Sequence, residues 1–113
     1  RSQIPFLFDG TLPDFNIGTN NGTTCAPSIE TALHDLCRAT PGYTSVLNGR
    51  FKGGWTTRHY GRPSEGIHAI QMELAQSTYM EERPPWKYTP SEADKLRDPL
   101  ARILKTLTLW RPE

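Results

Sequence analysis

The sequence predicts an α/β fold, part of a mixed sheet flanked by helices rather than a self-contained small domain. Three observations carry that reading. Residues 67–74 (IHAIQMEL) alternate in the way a strand does. Leu96, Leu100, Ile103, Leu107 and Trp110 recur at helical spacing. The elements between Asp9 and Trp110 run strand–helix–strand–strand–helix, an order that needs layers of both kinds.

Asp9-Gly10, Leu12-Pro13-Asp14 and Asn20-Asn21-Gly22 are turn formers, and between them Phe15-Asn16-Ile17 alternates as a brief strand. Asn21-Gly22-Thr23 also fits the glycosylation acceptor pattern, but with no secretory signal ahead of it reads as an ordinary turn. A helix follows, with Pro27 near its first position and Glu30 in its first turn. Its stripe is Ile29, Leu33, Leu36 and Cys37, and Pro41-Gly42 ends it. Residues 43–51, with Tyr43, Val46, Leu47 and Phe51, read as a strand. Gly53-Gly54 then opens a polar, aromatic loop over 55–66, too irregular to be an element of its own. In 67–74, Ile67, Ala69, Gln71 and Glu73 share one face; His68, Ile70, Met72 and Leu74 share the other. That strand is apolar enough to be central, which makes the Glu73 carboxylate costly unless it is paired or functional. Thr89-Pro90-Ser91-Glu92 combines a capping box with proline at the first helical position. Pro99 interrupts the stripe that follows, predicting a kink or two short helices split near Asp98.

At 113 residues the chain is at most one domain, burying roughly two thirds of its unfolded surface. Its 35% hydrophobic content fits a globular protein, and no run of about 18 apolar residues is present to span a membrane. Thirteen basic and 12 acidic residues give a net charge of +1, without the field or the Lys/Arg run that nucleic acid requires. Two cysteines, Cys25 and Cys37, make no disulfide framework and read as reduced thiols of a cytoplasmic protein. The start, Arg1-Ser2-Gln3-Ile4-Pro5, has no initiator Met, so a chain trimmed or cut from something longer is expected.

Three stretches carry possible chemistry. Residues 49–61 (GRFKGGWTTRHYG) gather cations, a histidine, hydroxyls and flexible glycines, as a site for a small anion needs: arginine offers a planar fork to a carboxylate, and glycines let backbone N–H groups approach. A solvated surface loop would have the same composition. Glu73, with Gln71 on its face, has the character of a general base in a partly dry pocket, or equally of a structural ion pair. Residues 18–25 (GTNNGTTC) precede a helix N-terminus but lack the Gly-Lys-Ser/Thr of a phosphate loop. Cys25 reads as a packed thiol. His34, His59 and His68 form no His-x-x-x-His or His-x-x-Glu pair, so a full zinc set is not visible. His34 reads as solvent-facing and His68 as packed.

Taken in order, residues 12–19 (LPDFNIGT), 22–27 (GTTCAP), 48–54 (NGRFKGG), 57–61 (TRHYG), 66–74 (GIHAIQMEL) and 78–80 (TYM) resemble the N-formylglutamate amidohydrolase family over roughly residues 3 to 82. The resemblance implies a fold similar to zinc-dependent exopeptidases of the carboxypeptidase and aspartoacylase type. It implies hydrolysis of N-formyl-L-glutamate to formate and L-glutamate, as in histidine degradation, by a metal-dependent enzyme. Residues 1–113 would then be the C-terminal part of a single amidohydrolase domain whose metal-binding N-terminal half is absent. Zinc or another divalent ion would have its ligands outside this chain, and the fragment alone would be inactive. By the same resemblance Glu73 activates water and His59 hydrogen-bonds the oxyanion. Arg58 and Arg50 grip substrate carboxylates, while Asn48 and Thr57 orient the substrate. The expected partners are that small-molecule substrate and the missing half. Competing readings are a non-catalytic fragment or module that holds acidic amino acids, and a hydrolase of another N-acyl amino acid.

Overall fold

The computed structural model describes residues 1–113. Its core is a three-stranded mixed sheet with strand order β2-β1-β3, where β1 is Phe15–Gly18, β2 is Ser45–Leu47 and β3 is Gln71–Leu74. β2 runs parallel to β1, while β3 runs antiparallel to it. Helix α1 (Pro27–Ala39) makes the crossover between the two parallel strands. Helix α3 (Pro90–Leu109) packs against α1, and a short α2 (Trp55–Tyr60) lies between β2 and β3. No helix is long and apolar enough to cross a membrane.

The mixed α/β layer is as expected, but its centre is not. β1 is buried along its whole length and is the middle strand, whereas β3 is an edge. The alternation of 67–74 survives only over Gln71–Leu74; Ile67 instead makes an isolated bridge with Arg62. Strand β2 is likewise three residues long, not nine, because Asn48 turns out of the strand with φ 52°.

The core joins Phe15 and Ile17 of β1 to Ile29, Leu33 and Cys37 of α1 and to Leu96 and Ile103 of α3. Fully burying side chains of this size stabilises by about 1.5–3 kcal/mol each. The α1 stripe is therefore the predicted one, with Leu36 half-buried at its margin. Pro99 does not split α3: one helix runs through from Pro90 to Leu109. Proline removes a single backbone donor there, and its ring is buried along with Leu96 and Ile103 of the same helix, so burial outweighs the lost bond. Thr89 is the N-cap, yet its hydroxyl caps nothing; its backbone N–H donates instead to Tyr79 O at 2.9 Å. The residues expected to form an irregular loop contain α2 and a single 3₁₀ turn at Pro63–Glu65.

Candidate functional site

Antiparallel pairing puts directly opposed residues on one face of the sheet. Ile17 faces Met72 and Phe15 faces Leu74, and these four look toward the helices. Asn16 opposes Glu73 and Gly18 opposes Gln71, so the other face is polar. The predicted parity of Gln71 and Glu73 holds, and β1 adds Asn16 to them.

The loop over 48–54 is seated on this polar face. A Cβ on Gly18 would stand 2.8 Å from the Lys52 carbonyl carbon, so only glycine lets that backbone approach. Asn20 N–H donates to Lys52 O at 2.6 Å, and Asn48 N–H to Ile17 O at 2.8 Å. Gln71 completes the attachment. Its Oε1 accepts from Gly54 N–H at 2.7 Å and from the Thr57 hydroxyl at 3.3 Å, while its Nε2 donates to Glu73 Oε1.

The sequence-predicted residues divide accordingly. Glu73 is half-buried and lines a small cavity of about 70 Å³ with Arg1, Leu12, Asn16 and Phe51 among its neighbours. Thr57 is buried and faces the sheet through Gln71. Arg58 is exposed; its Nη1 donates to Gly53 O at 2.5 Å, and neither it nor Arg50 joins any ion pair. The rest of each guanidinium is therefore available to an anion. Asn48 is committed within the protein: its Oδ1 accepts from Thr19 N–H and its Nδ2 donates to the Thr19 hydroxyl, both at 2.9 Å. That hydroxyl donates on to Glu30 at 2.5 Å. His59 is not brought to Glu73. Two residues beyond Thr57, it lies about 200° around α2, where it stacks on Trp55 with ring centroids 4.3 Å apart.

Asn16 and Gln71 are the residues that sequence reasoning left without a role. Asn16 is 2% exposed; its Nδ2 donates to Pro13 O at 2.8 Å, but its Oδ1 has no partner. The only sequence signal for Gln71 was its shared face with Glu73. A concavity of about 490 Å³ between Ile29, Tyr60, His68, Ile70, Leu107 and Trp110 contains no carboxylate or guanidinium. His68 is structural there, accepting from Ala26 N–H at Nδ1 (3.0 Å) and meeting Trp110 edge-on. Burial pushes the Cys25 and Cys37 thiols up to about 11, helped at Cys25 by the Glu30 charge, so neither is a nucleophile near neutral pH. No three His, Cys, Asp or Glu side chains lie close enough to share a metal ion.

A half-buried carboxylate beside a cationic loop, on one face of a mixed α/β sheet, is the arrangement of a small-anion site. The same fold occurs in the crystal structure of an N-formylglutamate amidohydrolase from Ralstonia eutropha. It matches with a TM-score of 0.73 and 31% identity, over 91% of this chain and 35% of that one. The N-formylglutamate amidohydrolase family model matches residues 1–80, and the chain belongs to that family. Among curated relatives, the N-formylglutamate deformylases of Pseudomonas aeruginosa and Pseudomonas putida are 50% and 53% identical to it over all 113 residues. The chain spans 42% of the length of each.

Proposed function

We propose that these residues serve a hydrolase that cleaves N-formyl-L-glutamate to formate and L-glutamate. The observation that carries the reading is the attachment of the Arg58 loop to the Glu73 face through Gln71. The relatives' names and the family membership support the substrate. In this reading residues 1–113 are the C-terminal part of one amidohydrolase domain of the zinc-exopeptidase type, working in the cytoplasm on the histidine-degradation route. The match to 42% of the relatives' length supports a second part supplied from outside these residues. In this reading zinc or another divalent ion is held by ligands outside this chain, whose own His, Cys, Asp and Glu side chains form no cluster of three.

What this chain contributes is proton transfer and substrate placement. As water oxygen bonds to the formyl carbon, Glu73 takes the water proton. It delivers that proton to the glutamate nitrogen as the C–N bond breaks. Arg58 grips one substrate carboxylate through two parallel N–H bonds, which a lysine does not reproduce, and Arg50 serves the other. Thr57 and Asn48 hold the loop that carries them. His59 reaches the oxyanion only if α2 turns its Trp55 face inward when substrate binds.

In an active enzyme carrying these residues, Arg58→Ala is expected to weaken transition-state binding of N-formylglutamate by about 2–5 kcal/mol. The loss should shrink for N-formylglutamine, which keeps the α-carboxylate and lacks only the side-chain one. Comparing kcat/KM for both substrates checks this. Equal losses would move Arg58 to the α-carboxylate, and no loss for either would remove it from the substrate site.

A further inference from the structure

Gln71 has partners at both ends of its amide. Gly54 N–H and the Thr57 hydroxyl are donors on one side, and the Glu73 carboxylate is an acceptor on the other, so the direction of the amide is dictated by its neighbours. No other hydrogen-bond donor reaches the Glu73 side chain. The residue directly across the sheet, Asn16, leaves an unpaired acceptor oxygen in the same buried region. Glu73 thus depends on one donor for its direction, and that donor is held by the turn that starts α2. Across from Gln71, Gly18 leaves room for the Lys52–Gly53 backbone, which keeps the turn within reach of a glutamine side chain.

We propose that Gln71 is a positioning residue whose single amide sets the Glu73 carboxylate and the seat of α2, with Arg58 on it, as one unit. This rests on the reading of Glu73 as the proton carrier, but the coupling is a property of the folded chain and is tested without turnover. If Gln71 merely filled the space between loop and sheet, Glu73 and Gly54 would respond independently to substitution. If it couples them, losing either partner frees the amide and weakens its bond to the other.

The test is amide hydrogen exchange of Gly54, read by NMR on the folded protein that carries residues 1–113. Glu73→Ala should speed Gly54 exchange about fivefold, the scale of one ordinary hydrogen bond, although Glu73 does not touch Gly54. Gln71→Met should speed it at least as much, and adding Glu73→Ala to that variant should change nothing further. Gln71→Glu keeps an acceptor for Gly54 and serves as the second background if Gln71→Met fails to fold; there too Glu73→Ala should no longer speed exchange. A Gly54 rate unmoved by Glu73→Ala, or moved equally in the Gln71 variants, overturns the proposal. Normal turnover by Glu73→Gln would instead overturn the proton-carrier reading and leave this coupling standing.

Discussion

The two faces of one short strand are built on different principles. Toward the helices, Phe15 and Ile17 are fully buried among aliphatic side chains and gain their stability from area removed from water. One residue out of phase, Asn16 and Gly18 face Glu73 and Gln71, where burial is a cost and hydrogen bonds decide the arrangement. Asn16 is nearly as buried as Phe15 and leaves an oxygen unpaired. A protein shaped by stability alone has little reason to keep that group. The apolar face therefore holds the fold, and the polar face gives up some stability, as the proposed site requires.

The comparison breaks most visibly at Phe15. Phe15→Ala should destabilise the protein by about 3–5 kcal/mol, a large part of a typical total of 5–15 kcal/mol. Urea denaturation followed by circular dichroism measures it; a loss under about 1 kcal/mol would place the core elsewhere. Gly18→Ala should cost about 1–3 kcal/mol, because the new methyl meets the Lys52 backbone and not a movable side-chain tip. Its signature should be displaced amide resonances across residues 50–58 with those of α1 unmoved. A shift confined to α1 would contradict the seating of the loop on Gly18.

The mildest effect sharpens the same contrast from the apolar side. The Cys25 and Cys37 thiols are raised in the fold to about 11 from about 9, chiefly by burial. The neutral thiols are thus favoured in the folded state. Their contribution is present below the unfolded value and is lost as pH rises through the folded one. Stability should fall by about 2 kcal/mol between about pH 8 and about pH 10. The fall should shrink when both cysteines are replaced by alanine, as denaturation midpoints at the two pH values would record.

The parts legible in the sequence were those written in local spacing. The stripe of α1, the Leu96–Ile103 part of that of α3, and the shared face of Gln71 and Glu73 follow from periods of 3.6 and 2, while Leu107 stays exposed and Trp110 lies past the helix end. What the sequence hid depends on distant partners. Phe15-Asn16-Ile17 is too short to announce the central strand, and a buried asparagine argues against one. Six residues of α2 carry no apolar period; they are helical because Thr57 docks on Gln71 and glycines flank both ends. The cluster at residues 49–61 contained both groups that face outward (Arg50, Arg58) and one that faces the sheet (Thr57), and composition does not separate them. Asn48 reads as a substrate ligand from its place in the loop, whereas its contact with Thr19, which engages its Oδ1 and one N–H, depends on a residue 29 positions away.

If the polar face exists for chemistry, Glu73→Gln separates that role from a structural one. The substitution keeps the shape and an acceptor for Gln71 while removing the base. In an active enzyme carrying these residues, kcat should fall by about 10²–10⁴ with a smaller change in KM, while the urea midpoint of this chain moves by less than about 1 kcal/mol in stability. Near-normal turnover by the folded variant, or a stability loss approaching that of Phe15→Ala, would make Glu73 a structural residue.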